Sequence, residues 1–150
     1  MKTIKKNVYY CEFCGKHSLS PSLKIHENHC TANPNRSCRM CENGNNTKAI
    51  IDKYEKYFYT RKMPARHLWQ DDVIQVVYRK KFTLEDLKNE LDPLCPNCLL
   101  NLIRCLGLNR HYFNGAFKID YKDMLNEWWA AENKRAYEEA ERETYAYGGY

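Results

Sequence analysis

Six of the eight cysteines in this 150-residue chain fall into three Cys-x2-Cys pairs: Cys11 with Cys14, Cys38 with Cys41, and Cys95 with Cys98. Two thiols at that spacing reach one metal ion from a single tight turn, which suits metal better than disulfides in a reducing compartment. Zinc takes four soft or borderline ligands in a tetrahedron. Eleven residues separate Cys14 from His26, and Cys30 follows one helical turn later, so Cys11, Cys14, His26 and Cys30 form a first set. His29 competes for the fourth place, and the spacing and the stronger thiolate bond favour Cys30. Cys38, Cys41, Cys95 and Cys98 form a second set across a gap of 53 residues, and loop closure grows only slowly in cost with length. The expectation is two Zn2+ per chain. Cys105, left over on an apolar helix face, reads as a buried structural thiol.

The elements that must hold these ligands can be read from caps and periodicity. Ser20-Pro21 predicts an N-cap and first helical residue for a helix carrying His26 and Cys30. The polar TANPNRS stretch reads as a linker, and ENGNN as turn chemistry. Thr47 is expected to cap a helix to about Lys62, with Ile50, Ile51, Tyr54, Tyr57 and Phe58 on one face, ended by Pro64. Residues 72–78, DVIQVVY, predict a buried strand. Thr83 and Asp86 predict a capping box for a helix over 83–91, stopped at Asp92-Pro93. The third pair leads into an apolar helix ended by Gly107. Asn114-Gly115 between aromatic runs predicts a hairpin. Asp120 is expected to cap a last helix to about Tyr145, with Tyr121, Met124, Leu125, Trp128, Trp129 and Glu132 at helical spacing. The terminal YAYGGY should fray. The fold class is therefore α+β, in small zinc-stabilised modules: a finger over 1–34, a four-cysteine domain over 35–119, and an acidic helix and tail over 120–150.

The stretch YYCEFCGKHSLSPSLKIHENHC resembles the classical zinc finger over about 22 residues. It has the aromatic two residues before the first Cys, the CGK turn and Leu23 three before His26, with Cys30 replacing the second histidine. The resemblance implies a ββα fold and one zinc. The positions that read bases in that family fall here on Leu19, Ser22 and Ile25, which cannot make the bidentate contacts of Arg, Lys, Asn or Gln. The finger thus suits protein docking as well as nucleic acid. The second knuckle, LCPNCLLNLIRC, enters a helix at once, as in treble-clef and related four-cysteine sites. It also looks like the second knuckle of HNH-type nucleases, which activate water with a histidine in an Asp-His or His-His pair. No such pair exists here; a nuclease would have to use His67, Asp71 and Asp72. The chain is expected not to be an enzyme, with an HNH-like nuclease as the remote alternative.

Charge points to an anionic partner. Residues 1–118 carry twenty Lys and Arg against eleven Asp and Glu, and residues 119–150 carry four against eight. Arg61, Lys62 and Arg66 cluster near Tyr59, and Arg79, Lys80 and Lys81 follow Tyr78; these six are the nucleic-acid-binding candidates. Lys2, Lys5 and Lys6 precede the finger, and Arg104, Arg110 and His111 follow the last knuckle. DNA or RNA is the favoured partner. The rival is an adaptor or inhibitor that joins a larger protein complex through the finger and the tryptophan helix. A mean hydropathy of −0.79 and the lack of a long apolar run argue against a membrane, and the N-terminus lacks the apolar core of a signal peptide. A cytoplasmic protein is expected (host cytoplasm if viral), with no small-molecule substrate. In style, an Asn- and Tyr-rich chain of zinc modules is similar to accessory proteins of large tailed phages.

Overall fold

The computed structural model describes residues 4–42 and 44–147. Lys2 and the last three residues of the expected fraying end lie outside them. Among the described residues the architecture is small α+β, with two two-stranded sheets, five α-helices and two cysteine clusters. The chain divides into two compact units, Met1–Lys118 and Ile119–Tyr150.

The first unit opens on a ββα finger. Strand β1 (Tyr9–Tyr10) pairs antiparallel with β2 (His17–Ser18), and α1 (Leu23–His29) follows. Gly15, at φ +71°, makes the turn after Cys14, a left-handed conformation that would cost a residue with a Cβ about 1–2 kcal/mol. Helix α1 starts later than the Ser20-Pro21 signal predicts. The N–H groups of Leu23 and Lys24 reach back three residues to Ser20 O and Pro21 O, a tight turn, and Ser22 is the N-cap. Cys30 is not on the helix either: it is the C-cap, with extended backbone at φ −61°, ψ 128°.

Asn46, not Thr47, caps α2 (Thr47–Tyr54), its Oδ1 accepting the Ala49 N–H at 3.2 Å. The expected helix to Lys62 stops at Tyr54. A 3-10 turn over Glu55–Tyr57 leads into β3 (Phe58–Met63), which pairs antiparallel with β4 (Val73–Tyr78), Phe58 opposite Tyr78 and Met63 opposite Val73. Residues 57–60 are Tyr, Phe, Tyr and Thr, types that suit a strand, and a ladder partner overrides their apparent helical spacing. Strand β4 is not buried as predicted: its residues are half-buried or exposed, with Val73 and Gln75 exposed. A two-stranded ribbon has one face to pack and one left to solvent.

Helix α3 (Leu84–Asn89) carries the predicted capping box, with Thr83 Oγ1 accepting the Asp86 N–H and Asp86 Oδ2 accepting that of Thr83. Helix α4 (Pro96–Cys105) ends in a left-handed Gly107. The Leu108 N–H returns to Ile103 O and that of Gly107 to Arg104 O, satisfying two terminal carbonyls. Leu87, Leu99, Leu102 and Leu108 are fully buried, and Ile50, Ile51, Tyr54 and Phe82 join the same core. No hairpin forms at Asn114-Gly115. Both residues have positive φ (51° and 72°), but they follow a 3-10 turn over His111–Phe113. Phe113 and Phe117, four apart, both bury, their rings 5.7 Å apart; on a strand, residues four apart would stand about 13 Å from each other, so rings this close need a compact turn.

The second unit contains α5 (Tyr121–Tyr147). Asp120 caps it as predicted, its Oδ1 accepting the Asp123 N–H at 3.1 Å. Trp129, Tyr137 and Tyr145 are exposed along it, and i,i+3 and i,i+4 pairs such as Arg135–Glu132 and Lys134–Glu138 support its surface. No helix among the described residues is long and apolar enough to cross a membrane.

Candidate metal centres

Two groups of side chains that can each hold a metal ion occur among the described residues: Cys11, Cys14, His26 and Cys30, and Cys38, Cys41, Cys95 and Cys98. In each group the four ligand atoms lie within 4.8 Å of one another. A tetrahedral zinc with bonds of about 2.3 Å sets its sulfurs about 3.8 Å apart, whereas a disulfide holds them at about 2 Å. Cys38 Sγ stands 3.7 Å from Cys95 Sγ, and Cys41 Sγ stands 3.5 Å from Cys98 Sγ. Cys14 Sγ is 3.3 Å from His26 Nε2. These are the separations of ligands around a shared ion.

The thiols favour a cation among them. The Cys95 and Cys98 thiols hydrogen-bond Cys38 and hold its sulfur far below the ordinary thiol range. Once Cys38 carries that charge, its hydrogen bond to Cys95 and the burial of the site push Cys95 up to about 12, and Cys98 is driven higher still by the same neighbours. Four sulfurs this close cannot all ionise without a cation between them. At the first site burial pushes Cys14 up, but hydrogen bonds from the Lys16 backbone and the His26 ring outweigh it, to about 6. Burial raises Cys30 to about 11. Cys11 and Cys30 are buried beside Leu23, so this centre doubles as the finger's core.

His29 stands outside both groups. Its Nδ1 lies 2.9 Å from Ser37 O, and its Nε2 accepts the Arg39 Nε–H at 2.9 Å. With both ring nitrogens engaged it ties α1 to Arg39, inside the second site's first knuckle. Other supports escaped the sequence reading. Asn45 accepts the Asp92 N–H at 2.9 Å and donates to Pro93 O at 2.9 Å, clamping the two halves of the second site together. Gly44 packs on Cys41 so closely that a Cβ there would lie 2.7 Å from Cys41 Sγ and 2.9 Å from its carbonyl oxygen. The one sequence signal for either was their place just after a knuckle.

TANPNRS is not a free linker. Asn101, fully buried on α4, donates to Thr31 O at 2.9 Å and Asn33 O at 3.0 Å, and Arg36 donates to Asn97 O at 3.0 Å. Arg104 donates to Thr31 Oγ1. The segment is bound to α4, which also bears Cys98. Cys105 belongs to neither group. It is half-buried rather than buried, with Sγ 3.3 Å from Asn101 Nδ2, and burial raises its pKa.

His67, Asp71 and Asp72 lie on the exposed loop between β3 and β4 and join neither metal-holding group. The six cationic candidates also map there: Arg61 and Lys62 on β3, Arg66 on the loop, and Arg79, Lys80 and Lys81 directly after β4, all exposed. The Arg79 guanidinium sits over the Tyr59 ring at 5.3 Å, and the Lys80 ammonium over Tyr57 at 4.8 Å. The chain matches no protein-family model, no curated protein and no solved structure with which it was compared. Its likeness to zinc fingers therefore rests on its ligand set and ββα geometry.

Native mass spectrometry should find two metal ions per chain, since eight ligand atoms divide into two tetrahedral sets. A stoichiometry of one or none would refute the partition.

Proposed function

We propose that this chain is a non-enzymatic, zinc-stabilised nucleic-acid-binding protein. Zinc is the metal that suits the donors: three thiolates with one imidazole, and four thiolates, each a closed tetrahedral set that leaves no open position for chemistry. The observation that carries the reading is the gathering of Arg61, Lys62, Arg66, Arg79, Lys80 and Lys81 on one exposed hairpin and its flanks. Across residues 58–81 these six face two acidic residues, Asp71 and Asp72. A ribbon so charged attracts phosphates. The zinc centres would serve as a base that keeps the ribbon presented.

Binding should therefore be weakly sequence-selective and strongly salt-dependent. Lys62→Gln with Arg66→Gln should lower the steepness of log affinity against log salt by about 0.9 per lost phosphate contact on duplex DNA, with the melting temperature unchanged. An absence of binding at low salt, or an affinity flat across salt, would turn the reading down.

A second reading has one observation in its favour. The finger leaves Val8, Tyr10, Phe13, Leu19 and Ile25 exposed, and Leu19 and Ile25 stand where a base-reading finger would carry polar groups. On that reading the finger is an adaptor surface that docks another protein. Capture of a protein partner that survives nuclease treatment and is lost with Leu19→Ser and Ile25→Ser would favour it.

A further inference from the structure

The tip of the β3–β4 hairpin is built unlike a simple loop. The Gln70 N–H reaches His67 O at 3.0 Å, closing a four-residue turn with Leu68 and Trp69 at its two central positions. Such positions ordinarily hold Gly, Pro, Asn, Asp or Ser, because they project furthest into water. Here Leu68 is fully exposed and Trp69 is 79% exposed. Two large apolar side chains at the end of a cationic ribbon cost hydration free energy that the free protein does not recover.

The Trp69 ring is also pre-oriented. It lies parallel to the His67 ring, 5.1 Å between centroids and 5° between planes. The imidazole thus restrains the indole while most of the indole surface remains in solvent. The hairpin's other rings lie toward its base and are committed there. Tyr59 carries Arg79 and Tyr57 carries Lys80, and Phe58 and Tyr78 both pack against Phe82. An aromatic ring held open beside cations has the features of a platform for a nucleobase, whose flat face matches the indole and whose phosphates meet the cations.

Resting on the nucleic-acid reading above, we propose that Trp69 is a base-stacking platform and that the substrate class is single-stranded nucleic acid. Bases in a duplex have their faces covered by their neighbours, so a duplex could use the hairpin's cations but not the indole. An unpaired base can use both. His67 acts as a positioning residue behind Trp69, and Lys62 and Arg66 hold the adjoining phosphates. Because every base has a π-face, the platform is tolerant of sequence.

The test compares the intact protein and its variants by fluorescence anisotropy, on oligo-dT and on a duplex of the same length, between about 50 and 200 mM salt. Trp69→Ala should weaken oligo-dT binding by about 10-fold to 100-fold, the range of one lost base–aromatic stack. The loss should be the same at each salt concentration, because no phosphate contact is removed. Duplex affinity and the melting temperature should stay unchanged, and Trp69→Phe should restore most of the oligo-dT affinity. The double variant Lys62→Gln, Arg66→Gln should instead weaken both ligands and flatten the salt dependence. Oligo-dT binding by Trp69→Ala at the wild-type level would overturn the platform while leaving the nucleic-acid reading intact. An equal loss on the duplex would overturn the single-strand assignment. Failure of the wild type to bind either ligand at low salt would overturn the nucleic-acid reading and the platform with it.

Discussion

Cys95→Ser is expected to abolish cooperative folding of the unit that contains it, while Cys105→Ser should leave a folded protein. Cys95 is fully buried within a four-sulfur group, and a serine there removes one of four ligands and leaves a hydroxyl among thiols with no cation to meet. A structural zinc site contributes about 10 kcal/mol or more to folding, comparable to the whole stability of about 5–15 kcal/mol of an ordinary domain. Cys105 is half-buried and touches Asn101 without joining either group. Its replacement forfeits two weak contacts, with Asn101 Nδ2 and Thr31 O, about 1 kcal/mol in all. Thermal unfolding followed by circular dichroism measures the contrast, and adding a chelator to the wild type should reproduce the Cys95→Ser result. Equal melting losses for the two serine variants would mean that the ligands are partitioned differently.

Asn101→Ala carries the second-largest expected effect, a loss of about 2–4 kcal/mol. The side chain is completely buried on α4, and its amide donates to Thr31 O and Asn33 O. Truncation removes two hydrogen bonds and leaves two carbonyls short of a donor, at about 1–3 kcal/mol for each group left buried and unpaired. It also opens a cavity among the leucines of the core. The loss should have a direction along the chain. Residues 31–37 should gain hydrogen exchange before α4 does, because the amide is what binds that segment to the helix. A variant with wild-type melting and unchanged exchange there would show that Arg36 and Arg104 suffice to hold it.

What could be read from the chain alone depended on interactions closed within a few residues. Each Cys-x2-Cys pair is a local turn, and four ligands per ion then divide the eight ligand residues into two sets with little freedom. The Thr83–Asp86 capping box, the Gly107 stop after α4 and the Asp120 cap are likewise complete within four or five positions, so their chemistry is visible in the order of residues.

Tertiary structure decided whatever had its partner elsewhere. Residues 58–63 have an apparent helical face, yet they form a strand because β4, about fifteen residues on, offers a ladder that a helix would forgo. Phe113 and Phe117 turned a hairpin signal into a compact turn because the core had room for both rings on one side. Spacing favoured Cys30 over His29 as the fourth ligand, and only the fold shows what the imidazole meets instead, Ser37 O and Arg39, ten residues away. Thr31 to Ser37 looked like a linker because Asn101, about seventy residues distant, is what makes it part of the core. The six cations stand in two runs along the chain, and pairing of β3 with β4 put both runs on one ribbon, Arg79, Lys80 and Lys81 at its base and Arg61, Lys62 and Arg66 toward its tip. Spacing specifies chemistry only over the reach of one turn; beyond that, which polar groups find a partner depends on which segments pack together.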